Sequence, residues 1–219
     1  MTCLTEITES VFGIKRHLND NGFPLKVGHV RELLAASLGF KTFASLQHAW
    51  NTKFEDDFHE AIFVLDQQTF DHRAIKLGLD TSAEMNDVFL QAVQLEWRRR
   101  FADDMIIEWE VGEALNQDSN ILHYPLDDHF SSEIASSNAI IGDEVINPYT
   151  ATLPPGPLAD FVELNIGYSA HMEMLDDKPI TTFMEEYFDN GFKGELTALF
   201  STTGFRGLIF MEFEGGSDF

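Results

Sequence analysis

The sequence predicts an α+β protein, in which a helical N-terminal part precedes a mainly antiparallel sheet that carries one or two helices. Two observations support this prediction. Up to residue 101, apolar side chains recur every three or four residues, as in amphipathic helices. After residue 101 the period falls to two, as in half-buried strands. Because helices come first and strands second, we expect a mainly helical domain at 1–101 and an acidic α+β domain at 102–219.

Three helices are predicted before residue 52, each with apolar side chains on one face. Asn21-Gly22 ends the first helix, and Gly39 suits the left-handed position that ends the second. Thr42 is placed to cap the third helix. The three apolar faces consist of Ile7, Val11, Ile14 and Leu18; of Val30, Leu33, Leu34 and Leu38; and of Phe43, Leu46 and Trp50.

The rest of the helical part contains a short strand and two more helices. The run AIFVLD at 61–66 predicts a buried strand, followed by a helix at 67–79. Thr81 and Glu84 have the spacing of a capping box for a long helix. Arg98-Arg99-Arg100 falls in the last turn of that helix, where cations interact favourably with the helix dipole. Its apolar row is Met85, Phe89, Val93, Trp97 and Phe101.

Strands dominate the second half. The alternation in VELNIGYSAHMEM, 162–174, predicts a long antiparallel strand with one buried face. IIEWEV at 106–111 alternates in the same way, whereas a short helix is expected at about 181–189. ELTALF and GLIFMEF, on either side of Ser-Thr-Thr-Gly, predict a hairpin. Residues 112–158 are rich in Asn, Ser, Asp and Pro, which predicts a loop-rich segment.

The charge of the chain is large and unevenly distributed. The net charge is −23. Residues 1–49 hold five basic and four acidic residues, whereas residues 101–219 hold three basic and 23 acidic residues. Such a field repels nucleic acids and anionic membranes and attracts basic surfaces.

Composition also limits the class of protein. No apolar run is long enough to span a membrane, and the N-terminus lacks the pattern of a secretion signal, so we expect a cytoplasmic protein. The single Cys3 excludes an internal disulfide framework and a multi-cysteine zinc site. The oligomeric state is not fixed, and a homo-oligomer is compatible with the sequence.

The leading hypothesis is a non-enzymatic acidic interaction protein, because no phosphate-binding, dinucleotide-binding or nucleophile motif is present. Its partner would be a basic protein surface, and no cofactor is expected. One form of the hypothesis is a nucleic-acid mimic that inhibits a nucleic-acid-processing or host-defence complex, since carboxylates on a folded scaffold can imitate the phosphate spacing of DNA. The candidate binding residues are Asp103, Asp104, Glu108, Glu110, Glu113, Asp176, Asp177, Glu185, Glu186 and Asp189.

Two alternatives remain open. A metal-dependent enzyme could use the imidazole and carboxylate groups of His123, His129, His171 and Glu173, which suit zinc, iron or manganese. A DNA-binding regulator could read DNA through the helical hairpin at 26–51. Two observations disfavour direct nucleic-acid binding: the hairpin has few cations, and Ser45 is polar at a position where the DNA-reading motif needs an apolar residue. Its contact residues would be Lys26, Arg31, Lys41 and His48.

One stretch also resembles a known module. The run VGHVRELLAASLGFKTFASLQ, followed by FVLD and KLGL, is similar to uncharacterised bacterial plasmid and integrative-element proteins and to glyoxalase-related proteins. The resemblance covers about residues 24–80 and leaves residues 101–219 unassigned. Relatives often carry Ser before the His, where this chain has Gly28 before His29. The resemblance implies a small helical packing or docking module in an accessory protein of a bacterial mobile element, with no catalytic residues.

Overall fold

The structure of the protein is a computed structural model. It describes the backbone of residues 3–53, 61–117, 139–146, 151–174 and 192–214, and the side chains of residues 6–50, 61–117, 151–167 and 197–212. Within these residues the helices come first and most of the strands follow, which confirms the α+β class. No helix among them is long and apolar enough to cross a membrane.

The described residues form six helices and six strands. The helices are α1 (Cys3–Asp20), α2 (Val27–Ser37), α3 (Phe43–Lys53), α4 (Gln67–Lys76), α5 (Ala83–Arg100) and α6 (Val111–Gln117). The strands are β1 (Ile62–Val64), β2 (Ile107–Glu108), β3 (Ala139–Ile146), β4 (Phe161–Met174), β5 (Phe192–Thr202) and β6 (Gly207–Glu214).

The strands are hydrogen-bonded in the order β2-β1-β6-β5-β4-β3. The sheet is mixed, since β1 pairs in parallel with β2 and antiparallel with β6, where Ile62 lies opposite Leu208. β3 and β4 pair antiparallel, with an irregularity between Ile141 and Glu144. The predicted hairpin is present, because β5 and β6 are consecutive in the chain and adjacent in the sheet.

The chain divides into two compact units, each formed by three separate segments of the sequence. The first comprises residues 1–110, 153–162 and 201–209, and the second comprises residues 111–152, 163–200 and 210–219. The sequence places one boundary between residues 101 and 102. The structure differs because β1 of the helical part pairs with the start of β6, which brings a C-terminal segment into the first unit.

The core of the first unit confirms the predicted apolar faces of α1, α2, α3 and α5. Every member of these faces is buried except Phe101, which is half-buried. Trp50 lies at the aromatic centre, with ring centroids 5.9 Å from Trp97 and 5.0 Å from Phe205 in edge-on orientations. Such aromatic pairs contribute about 0.5–1.5 kcal/mol each beyond their buried area. Phe205 comes from the turn before β6, so a C-terminal residue completes the helical core.

The second unit contains two elements that the sequence did not predict. Residues 111–117 form α6, where Val111, Ala114 and Leu115 are buried at helical spacing. Residues 139–146 form β3, so the segment expected to be loop-rich contains both a helix and a strand. In β4 the predicted alternation is confirmed from Glu163 to Ile166, since Leu164 and Ile166 are buried while Glu163 and Asn165 are exposed, but Gly167, expected on the exposed face, is buried.

The chain enters α5 one residue later than predicted. Ser82, not Thr81, is the N-cap, and its Oγ accepts a hydrogen bond from the backbone N–H of Met85 at 3.2 Å. Asp80 fixes this serine, because its carboxylate accepts hydrogen bonds from the Ser82 backbone N–H and hydroxyl. The cap of α3 is as predicted, since Thr42 Oγ1 accepts the Ser45 N–H at 3.1 Å.

Candidate interaction site

Asp103 and Asp104 are exposed in the turn that follows α5. Two contacts hold the turn in place. Arg98 Nε donates a hydrogen bond to the carbonyl oxygen of Met105 at 2.8 Å, and the Met105 side chain is buried. A buried residue and a side-chain hydrogen bond thus anchor the turn while both carboxylates remain in solvent. Glu110 is also exposed in the first unit. These three acids meet the first requirement of a binding surface, which is accessibility.

Glu108 corrects the predicted surface. Its side chain is only 9% exposed, and its carboxylate accepts a hydrogen bond from Gln94 Nε2 at 3.2 Å. The same amide donates to the Ile107 carbonyl oxygen, so Gln94 ties α5 to β2. The predicted surface requires Glu108 to be exposed. The strand is only two residues long and lies against α5, which buries both of its residues.

The remaining predicted acidic residues lie in the second half of the chain. Glu113 is exposed on α6, in the second unit. The other five, Asp176, Asp177, Glu185, Glu186 and Asp189, fall outside the described residues.

Arg206, one of only three basic residues after position 100, is buried with 3% exposure. Its Nε donates to the Val64 carbonyl oxygen at 2.6 Å, and its Nη1 donates to the carbonyl oxygens of Pro154 and Gly156 at 2.8 and 2.9 Å. The guanidinium therefore joins three segments of the first unit. Because it is buried, it does not pair directly with the exposed carboxylates of the C-terminal half.

Asp66 is the counter-charge of Arg206, with its Oδ2 3.7 Å from Arg206 Nη1. The same carboxylate is the N-cap of α4, where it accepts hydrogen bonds from the backbone N–H and the hydroxyl of Thr69. Burial lowers the pKa of Arg206, and the Asp66 carboxylate partly opposes that shift. Arg206 also has a φ of +64°, a conformation that L residues adopt at a cost of about 1–2 kcal/mol. No local sequence pattern indicates this pair, because its members are 140 positions apart.

A second polar network joins α1 to α5. Glu96 is 7% exposed, and its Oε2 accepts hydrogen bonds from Arg99 at 2.8 Å and from Arg100 at 3.2 Å. Arg100 also donates to Glu9 of α1 at 2.7 Å, and Arg16 of α1 lies 3.8 Å from Glu96. The hydrogen bond to Glu96 raises the pKa of Arg99. Two of the three arginines in the last turn of α5 therefore belong to a network that joins two helices, and their spacing of three and four residues from Glu96 is the sequence signal for it.

Gly13 makes this network possible. A Cβ atom at position 13 would lie 1.9 Å from Glu96 Cδ, so the carboxylate occupies the space that any other side chain would fill. Beside it lies an open groove of about 260 Å³, lined by Glu9, Phe12, Gly13, Arg16 and Arg100. The Phe12 ring is 53% exposed.

The residues of the DNA-binding alternative are only partly available. Lys26, Lys41 and His48 are exposed. Arg31 is half-buried, with its Cζ 5.5 Å from the centre of the Phe43 ring. This cation–π contact gives Arg31 a packing role in the hairpin.

The metal-site alternative falls mostly outside the described residues. His123 and His129 are not among them, and His171 and Glu173 lie two positions apart in β4 without described side chains. Among the described residues no group of three His, Cys, Asp or Glu side chains could hold a metal ion.

Comparison with known proteins identifies no relative of this chain. No family model, no curated protein and no solved structure matches the chain. The resemblance of residues 24–80 to mobile-element and glyoxalase-related proteins therefore stays a prediction.

Proposed function

We propose that the protein is a non-enzymatic acidic interaction protein that binds a basic surface of a partner through its C-terminal half. The observation that carries the proposal is the charge of residues 101–219, which contain 23 acidic and only three basic residues. One of the three basic residues, Arg206, is buried. Within the described side chains, exposed acids of this half include Asp103, Asp104 and Glu110 in the first unit and, separately, Glu113 in the second.

The size of the charge supports a partner rather than solubility alone. A small soluble domain needs a net charge of only about 2–8, whereas this chain carries −23. A larger excess destabilises the folded state through self-repulsion. A basic partner would relieve that repulsion, so binding would be strongest at low salt.

The form of partner that fits best is a nucleic-acid-binding protein. Such proteins carry grooves lined with Lys and Arg for a phosphate backbone with one charge about every 3.4 Å per strand. Exposed carboxylates on a folded scaffold can occupy the same groove, and the proposal is therefore a nucleic-acid mimic that competes with DNA or RNA. A bacterial mobile element as its source would fit this role.

The test is a displacement experiment. A panel of purified nucleic-acid-binding proteins, including host-defence and nucleic-acid-processing complexes, is loaded with a fluorescent duplex, and release of the duplex is followed as the protein is added. We expect release from at least one member of the panel, weakening at least about tenfold between 50 and 200 mM salt. No release from any member at low salt would contradict the proposal.

Two variants separate the acidic surface from net charge. Asp103→Asn with Asp104→Asn removes two exposed carboxylates of the predicted surface, whereas Asp20→Asn with Asp87→Asn removes two exposed carboxylates of the helical part. Both pairs change the net charge equally. We expect the first pair to weaken displacement several-fold more than the second, and equal effects would mean that the turn after α5 is not part of the surface.

A further inference from the structure

A groove with a local excess of positive charge, in contrast to the acidic C-terminal half, lies between α1 and α5 in the first unit. The network beside it contains three guanidinium groups, of Arg16, Arg99 and Arg100, and two carboxylates, of Glu9 and Glu96. One positive charge is therefore in excess, in a chain whose net charge is −23. We propose that this groove binds an acidic segment of a partner protein and takes up one carboxylate side chain.

Hydrogen-bonding capacity remains available in the groove. Arg16 is 73% exposed, and its 3.8 Å approach to Glu96 is an ion pair without a hydrogen bond among the described residues. Arg16 lines the groove together with Glu9, Gly13 and Arg100. A guanidinium has five N–H donors and can bind a carboxylate through two of them. Since Glu96 lies 3.8 Å from Arg16, less side-chain freedom is lost on binding than for an arginine without a nearby carboxylate.

The dimensions of the groove indicate the kind of ligand. Its volume of about 260 Å³ lies below the 300–1,000 Å³ typical of small-molecule pockets. A single side chain from a protein surface fits this space better than a free metabolite. The exposed Phe12 ring gives the groove an apolar wall, and aromatic and arginine side chains together are the usual composition of strong interface contacts.

The net charge of the protein does not prevent such binding. At physiological ionic strength charges are screened beyond about 8 Å, so exposed acids farther away contribute little. A nucleic acid is a poorer match, because its row of phosphates would meet Glu9 and one excess positive charge cannot neutralise it. One carboxylate beside an apolar side chain matches both the charge and the Phe12 wall.

The experiment uses the full chain and two fluorescent Gly-Ser peptides, one with a central Leu-Glu-Glu-Leu and one with a central Leu-Gln-Gln-Leu. Fluorescence anisotropy at about 0.15 M salt gives the affinity of each. We expect the Glu peptide to bind at least about tenfold more tightly than the Gln peptide. Equal affinities, or no binding of the Glu peptide, would overturn the proposal.

Matched variants locate the site. Arg16→Gln is expected to weaken binding of the Glu peptide about tenfold, whereas Lys26→Gln, an equal charge change at an exposed position outside the groove, leaves it within about twofold. Phe12→Ala keeps the ion pairs and removes the apolar wall, so it should also weaken binding. Equal losses in the arginine and lysine variants, together with no loss in Phe12→Ala, would reject the groove.

Asp103→Asn with Asp104→Asn should bind the peptide normally, which keeps this proposal separate from that of the acidic surface.

Discussion

At the scale of single residues, Arg206 has the largest predicted effect on stability. Arg206→Met removes the donor for three backbone carbonyl oxygens and leaves the Asp66 carboxylate without its guanidinium. Breaking a buried ion pair by removing one partner costs about 3–5 kcal/mol. Arg73→Met is the control, because Arg73 pairs with Glu32 and donates to a single backbone carbonyl oxygen, and these two side chains are 22% and 30% exposed whereas those of Arg206 and Asp66 are 3% exposed. Urea unfolding should show a loss for Arg206→Met at least twice that of the control.

Gly13 and Glu96 allow a second residue-scale test. Alanine is favoured over glycine in a helix by about 1 kcal/mol, but a Cβ at position 13 would displace the Glu96 carboxylate from its arginine partners. We expect Gly13→Ala to destabilise the protein by about 1–2 kcal/mol in the wild-type background. In a Glu96→Ala background the same change should be stabilising. A double-mutant cycle from urea unfolding measures the coupling, and a coupling energy near zero would contradict the geometry.

At the scale of elements, Gly39 connects the end of α2 to the segment before β4. Its φ is +81°, and a Cβ there would lie 2.5 Å from the carbonyl oxygen of Gly156. Gly22, with a φ of +89°, has no atom within 4 Å of such a Cβ. We therefore expect Gly22→Ala to cost about 1–2 kcal/mol from its left-handed backbone alone. Gly39→Ala should cost clearly more in the same thermal or urea unfolding experiment, and equal costs would show that residues 153–162 do not pack tightly on α2.

Local signals explain which elements could be predicted. The apolar faces of α1, α2, α3 and α5 follow a helical period, so sequence alone indicates their cores. In contrast, α6 begins where the alternation of IIEWEV seemed to continue, because Val111 fits both a strand and the helix formed with Ala114 and Leu115. The N-cap of α5 is Ser82 and not the predicted Thr81, because Asp80 accepts a hydrogen bond from the Ser82 hydroxyl. The sequence offers Thr and Ser side by side and does not show which of them Asp80 contacts.

The candidate sites depend on contacts between distant parts of the chain, so sequence indicated them less well. Exposure of Asp103, Asp104 and Glu110 follows from local polarity, whereas the burial of Glu108 requires knowledge that β2 lies against α5. The groove beside Gly13 arises only when α1 meets α5. Their approach is a tertiary contact, and no local period predicts it.

At the scale of the whole molecule, residues 153–162 and 201–209 of the C-terminal half belong to the first unit. A fragment of residues 1–110 lacks Phe205 and Arg206, which are buried in this unit. Loss of a buried Phe alone costs about 3–5 kcal/mol, a large part of the 5–15 kcal/mol that stabilises a typical domain. We expect the fragment to show no cooperative urea transition, whereas the full chain does. A cooperative transition in the fragment would mean that the helical part is an independent domain, as the sequence alone suggests.

The net charge of −23 makes a prediction about the stability of the entire chain. Repulsion among exposed carboxylates opposes folding, and it is screened as the Debye length falls from about 30 Å at 0.01 M salt to about 8 Å at 0.15 M. Salt also weakens ion pairs, which acts in the opposite direction, but the pairs of Glu96 and of Glu32 are partly buried and are therefore screened less than the exposed carboxylates. The free energy of unfolding should therefore rise with salt. The triple change Asp103→Asn, Asp104→Asn and Glu110→Gln should reduce this dependence in urea unfolding at both salt concentrations, whereas stability that falls with salt would show that ion pairs outweigh the repulsion.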